Sequence, residues 1–108
     1  MKLNTLVCIY RELNRLNFGG VLVEPYIFFS RSTRVDGFYD ADTGVMGFNV
    51  ADIRGLIEAC ELVYHEMVHQ YIDEFLGLEL DDDHGAEFKQ EYNKFCFGIV
   101  GDPNYLRN

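Results

Sequence analysis

Basic side chains are scarce in this sequence: 9 lysines and arginines stand against 18 aspartates and glutamates, for a formal net charge of −9. Nucleic-acid binding draws much of its affinity from Lys and Arg that neutralise phosphates. We therefore expect no strong nucleic-acid binding by this domain alone. Its best basic patch is Arg31 with Arg34, which can neutralise at most about two phosphates.

Long apolar runs and paired cysteines are also missing. No run approaches the roughly 20 residues of a membrane span, and residues 1–5 lack the apolar core of a signal peptide, so a cytoplasmic protein is expected. The three cysteines are odd in number and widely spaced, which predicts reduced thiols in the core rather than a disulfide framework. They are Cys8, Cys60 and Cys96.

The composition predicts one domain over residues 1–108. Its 48% apolar and 15% aromatic content exclude disorder. Hydrophobic spacing predicts three helices, the central one at about residues 53–76 and the last beginning after the acidic triplet 81–83. The expected N-caps are Asn4 or Thr5, Asp52, and Asp82 or Asp83. The expected terminating glycines of the first two helices are Gly19 with Gly20, and Gly77.

Strands are predicted within residues 21–30, near residues 35–40 and at residues 45–50. Because the connections between them are short, we expect antiparallel pairing. The predicted fold class is α+β, with a small antiparallel sheet of about three strands packed with three helices.

The most informative stretch is His65-Glu66-Met67-Val68-His69. On a helix, His65 and His69 lie one turn apart on one face and can bind one cation. Glu66 is rotated by about 100° and can reach a metal-held water without ligating the metal. The surrounding residues are apolar, which predicts a buried helix.

His84 is the third and last histidine of the chain. Three imidazoles and an adjacent glutamate are typical of a catalytic zinc site, which has three protein ligands and one open position. The sequence thus predicts Zn²⁺ bound by His65, His69 and His84. Glu87 and the acidic triplet 81–83 are the alternative sources of the third ligand.

With these segments placed, the chain resembles the SprT-like metallopeptidase domain, the zincin module of Spartan-type proteases. The resemblance implies that His65, His69 and His84 are the zinc ligands, that Glu66 is the catalytic acid/base, and that a protein or peptide is the substrate of a zinc metalloendopeptidase. The late His-Gly-Ala-Glu-Phe makes it more specific than the first histidine pair alone. The matching segments are residues 13–22, 27–31, 37–39, 65–69 and 84–88.

The chain departs from this family in two respects. Many members carry a zinc ribbon, but this sequence contains no Cys-x-x-Cys. Relatives that act on DNA-bound proteins carry basic elements, whereas this chain is acidic. A DNA-linked role would therefore require a recruiting partner protein.

In zincins an extended substrate lies along an edge strand, and the strand at 45–50 is the expected edge. A developing oxyanion needs further donors; Tyr39, Arg31, Arg34 and Tyr64 are available, and the sequence does not choose among them. The main alternative function is a non-enzymatic, zinc-stabilised protein-binding module. A structural zinc site usually fills all four positions, often with Cys, and has no use for Glu66. A histidine-dependent RNase would require another histidine spacing and a basic groove.

Overall fold

The computed structural model describes residues 1–31, 35–49, 51, 53–77 and 85–95. For residues 94 and 95 it describes the backbone alone. The fold is α+β, with three α-helices and one three-stranded sheet. In chain order the elements are α1 (Leu3–Asn17), β1 (Tyr26–Ser30), β2 (Gly37–Asp40), β3 (Val45–Asn49), α2 (Leu56–Tyr71), a π-helical turn (Ile72–Leu76) and α3 (Ala86–Phe95). None of the described helices is long and apolar enough to cross a bilayer.

The sheet is mixed, with strand order β1-β3-β2. β3 pairs antiparallel with β2, as the short connection between them predicts, but it pairs parallel with β1. The prediction of an antiparallel sheet is therefore wrong for β1 and β3. Successive strands along the chain do run in opposite directions. However, β2 does not lie next to β1, because β3 lies between them. The connection at residues 31–36 is long enough to span two strand spacings of roughly 4.8 Å each.

The first helix begins earlier than its sequence predicts. Lys2 is the N-cap and makes no side-chain capping bond, so the prediction of Asn4 or Thr5 is wrong. A cap contributes only about 1 kcal/mol, and starting at Leu3 adds an apolar side chain that packs against the core. The helix ends as predicted: Gly19 and Gly20 have φ of 64° and 75°, and the Gly20 N–H donates to the Asn14 carbonyl at 2.8 Å.

The central helix is shorter than the predicted range of residues 53–76: it begins at Leu56, and the last turn of that range is π-helical. Gly55 is its N-cap, and the predicted cap Asp52 lies outside the described residues. Gly77 ends it in the left-handed conformation with φ of 60°, as predicted. The helix is buried over residues 62–68, which confirms the prediction of a buried helix; His69, the last residue of the His-Glu-x-x-His stretch, is half-buried.

The core lies between the inner face of the sheet, α1, α2 and α3. The thiols were predicted to belong to it, but Cys8 is exposed and Cys60 is only half-buried; Cys96 lies outside the described residues. Cys8 is exposed because the buried stripe of α1 is Leu6, Tyr10 and Leu13, which leaves Cys8 on another side of the helix. The largest fully buried side chains include Tyr10, Phe48, Tyr64, Met67, Phe88 and Tyr92.

A buried polar cluster fixes α2 against α1. The Tyr10 hydroxyl donates to Gln70 Oε1 at 2.7 Å, and Gln70 Nε2 donates to the Val23 carbonyl at 2.5 Å. Burial raises the pKa of Tyr10, so its hydroxyl stays a donor. A buried amide left without its bonds would be costly. The cluster therefore fixes the rotation of α2 about its own axis at Gln70, and with it the direction in which the adjacent His69 leaves the helix.

Candidate metal centre

His65 and His69 lie side by side on α2. Their ring centroids are 5.1 Å apart and their planes are inclined by 69°. His65 is fully buried, whereas His69 is half-buried. The pair thus leaves one helix face as the spacing predicted, with the His69 ring closer to solvent.

Glu66 is fully buried on the same helix. Burying an ionised carboxylate is costly unless a positive charge lies close to it. A divalent cation bound by the neighbouring histidines would supply such a charge. The imidazole nitrogens of His65 and His69 are donor atoms that zinc prefers, so this pair beside a buried carboxylate is chemically suited to bind zinc.

The third helix covers the histidine pair. The ring of Phe88, which is fully buried, lies 4.8 Å from the His65 ring and 4.5 Å from the His69 ring, measured between centroids. One turn later the Tyr92 ring lies 6.4 Å from that of His65. Helical spacing can identify the face of α3 that carries Phe88 as a buried one, but it does not identify the histidines as its neighbours.

The described residues supply two of the three predicted ligands. His84 and the acidic triplet 81–83 lie outside them. Glu87, the other alternative, is exposed in the first turn of α3. Within the described part of the chain, no group of three or more His, Cys, Asp or Glu side chains could hold a metal ion. Glu87 therefore does not join His65 and His69 as a third ligand in this arrangement.

Two of the four candidate oxyanion donors can be assessed by their contacts. Tyr64 is fully buried and donates its hydroxyl to the Tyr92 carbonyl at 2.5 Å, so this hydroxyl is bonded within the core and is not available to a substrate. Tyr39 is half-buried on β2, and its hydroxyl donates to an Asp73 carboxylate oxygen at 3.4 Å. Burial, followed by the charges of Asp73 and Glu74, raises the pKa of Tyr39 to about 12. It is therefore a protonated donor at neutral pH, held by an aspartate four residues after His69.

Of the two arginine candidates, the structure describes only Arg31. Arg31 is exposed at the end of β1. Arg34 lies outside the described residues. Tyr39 is thus the better supported of the described candidates, because β2 packs directly against α2.

The expected substrate edge must also be corrected. β3, predicted as the edge strand, is the central strand, because β1 and β2 pair with its two sides. Of the two edges, β1 packs beside α1, and β2 packs beside α2, which carries the histidines. β2 is therefore the edge nearer to this helix.

The glycine in the middle of β3 has a packing role. Phe28 and Phe38 flank Gly47 in the sheet, and their rings meet edge-on with centroids 5.7 Å apart. A Cβ at Gly47 would lie 2.5 Å from a Phe38 ring carbon. Gly47 is thus explained by aromatic packing rather than by the approach of a substrate.

Comparisons with known proteins support the architecture and not a family. No protein-family model matches the chain, and no curated protein matches its sequence. Its structure is similar to the crystal structure of the metallopeptidase zymogen of Pyrococcus abyssi abylysin, with a TM-score of 0.62 and 12% identity over 82% of this chain and 77% of that chain. The SprT-like assignment therefore stays a prediction, and the chain shares the fold of a metallopeptidase.

Proposed function

We propose that this chain is a zinc-dependent endopeptidase of the SprT-like zincin type. In this proposal His65, His69 and His84 bind the metal and Glu66 is the general base. The observation that carries it is the pair of imidazoles 5.1 Å apart on one face of a buried helix, next to a buried glutamate. The shared metallopeptidase fold is consistent with this reading.

The reaction requires a proton carrier beside the attacking water, and Glu66 has that role. When bound, zinc supplies Lewis-acid polarisation of the scissile carbonyl and lowers the pKa of water. A Glu66 carboxylate oxygen accepts a proton from the attacking water and later delivers it to the nitrogen of the leaving amine. Burial of Glu66 limits proton exchange with bulk water during these two transfers.

The substrate is an extended polypeptide added to the edge of β2. A strand edge offers main-chain donors and acceptors to any sequence, and specificity then comes from side-chain contacts. Tyr39 lies on this strand and is protonated at neutral pH, so it is the donor proposed for the developing oxyanion.

The test is zinc analysis of the purified chain together with cleavage of casein. One zinc per chain with metal-dependent cleavage would support the proposal. Stoichiometric zinc without cleavage of any protein offered would favour the zinc-stabilised binding module. Absence of stoichiometric metal, with none taken up on reconstitution, would exclude both.

The third ligand is tested by comparing His84→Ala with Glu87→Ala. We expect His84→Ala to lose stoichiometric zinc and Glu87→Ala to keep it. Glu87 is exposed in the first turn of α3, where its charge interacts favourably with the positive end of the helix. Elemental analysis after gel filtration measures the difference. Loss of zinc in Glu87→Ala alone would reassign the ligand to that carboxylate.

We also propose that this domain alone binds DNA only weakly and depends on a partner protein for any DNA-linked substrate. A net charge of −9 repels the phosphate backbone. Titration of labelled single- and double-stranded DNA at physiological salt should give dissociation constants above the micromolar range. Sub-micromolar binding that weakens in the double variant Arg31→Glu, Arg34→Glu would contradict this.

A further inference from the structure

One aromatic ring from α3 packs against both imidazoles of the pair on α2. The Phe88 ring plane is inclined by 51° to that of His65 and by 34° to that of His69, at centroid distances of 4.8 and 4.5 Å. Because the imidazoles are themselves 5.1 Å apart, the three rings form a compact triangle. Phe88 therefore restricts both histidines at once.

Phe88 is itself held in place. Its ring lies 5.9 Å from that of Tyr92, and the Tyr92 ring meets the Tyr64 ring edge-on at 4.8 Å. The Tyr64 hydroxyl donates to the Tyr92 carbonyl, which ties the backbone of α3 to α2. A ring fixed in this way cannot rotate aside when a neighbouring imidazole turns.

Imidazoles on a helix turn about two side-chain torsions, whereas metal binding requires each ligating nitrogen to point at one place. Hydrogen bonds from surrounding groups commonly fix that orientation, and their loss weakens metal binding. Packing against a fixed ring imposes the same restriction by excluding the other rotamers.

We propose that Phe88 is a positioning residue that holds His65 and His69 in the orientation for metal binding. The proposal rests on the proposed function of these histidines as zinc ligands. Phe88 itself binds no metal and takes no part in proton transfer. Its loss should therefore change the metal centre even where the fold is retained.

The test compares Phe88→Leu with the matched variant Phe18→Leu. Phe18 is also a core phenylalanine, 4% exposed, and its ring contacts those of Tyr64 and Tyr71 at 5.8 and 6.0 Å. Three measurements are needed: the thermal unfolding of the metal-free form, the zinc dissociation constant by competition with a chromophoric chelator, and the visible spectrum of the Co(II)-substituted protein.

Both variants should unfold at lower temperature when metal-free, because each loses a buried ring. Only Phe88→Leu should weaken zinc binding, by about ten- to a hundredfold, and alter the Co(II) bands that report ligand geometry. If Phe88→Leu does not fold, Phe88→Met replaces it, since methionine fills irregular apolar space.

The two proposals fail in different ways. Wild-type affinity and an unchanged Co(II) spectrum in Phe88→Leu would overturn the positioning role and leave the zinc centre intact. Equal losses of affinity in Phe88→Leu and Phe18→Leu would also overturn it, because the effect would then follow from stability alone. A wild-type chain that binds neither Zn²⁺ nor Co²⁺ would overturn the zinc centre, and the positioning role with it.

Discussion

Replacing Glu66 with glutamine is expected to abolish measurable peptide-bond cleavage while leaving zinc content and folding close to wild type. The amide keeps the shape of the carboxylate but cannot accept a proton from the attacking water. General acid–base catalysis contributes roughly 10²- to 10⁴-fold in rate, so kcat/KM should fall by at least about that factor, to the detection limit of an ordinary turnover assay. Hydrolysis of a labelled casein, followed with enzyme in excess, measures it.

The control for this substitution is Glu61→Gln on the same helix. Glu61 is half-buried, and burial together with the nearby Glu58 raises its pKa, but it lies outside the His-Glu-x-x-His motif. This variant should cleave at the wild-type rate. If Glu66→Gln cleaves as fast as wild type, Glu66 is not the base, and the proposed mechanism is wrong.

Removing the metal is expected to lower the melting temperature by roughly 15 °C, because each 1 kcal/mol shifts it by about 4 °C in a domain of this size. Zinc bound by the proposed ligands would join α2 to residue 84, so metal that binds the native state alone would stabilise it. At a thousandfold excess over the dissociation constant this contributes about 4 kcal/mol. Differential scanning calorimetry of the zinc-loaded and chelated wild type measures the shift.

A second comparison separates metal binding from packing. His69→Ala removes a half-buried ring, whereas His65→Ala would empty a fully buried position and destabilise the core directly. His69→Ala should therefore unfold near the temperature of the chelated wild type, and added zinc should not raise it. An unchanged transition after verified metal removal would show that the fold does not need the metal.

The parts of this fold that the sequence predicts are those governed by local chemistry. Gly19, Gly20 and Gly77 adopt the positive φ values expected at helix ends. The i, i+4 spacing brings His65 and His69 together because a helix imposes that geometry on any residues it contains. The turn with Gly44 at φ of 68° produces the antiparallel pairing of β2 with β3 for the same reason.

The features that sequence reasoning missed depend on contacts between distant segments. The apolar run at residues 26–29 identifies a strand but not its neighbour, so the parallel pairing with β3 could not be predicted. Tyr64 was named among the available donors because its bond to the Tyr92 carbonyl joins residues 28 positions apart, and the sequence does not reveal such a contact. Only the packing of α3 on α2 identifies the neighbours of Phe88 as imidazoles.

The order of strands in the sheet also sets the order in which the sheet can fold. Asp40 pairs with Val45 only five residues later, whereas Tyr26 pairs with that same residue nineteen positions along the chain. A hairpin of β2 and β3 can form within microseconds, but the parallel pairing must first close the longer loop. Pulsed hydrogen exchange would test this order through earlier protection of the β3 amides that face β2. Until β1 pairs with β3, the backbone N–H and C=O groups on one edge of β3 can pair with strands of other chains. Pairing with β1 therefore also protects the folding chain against aggregation.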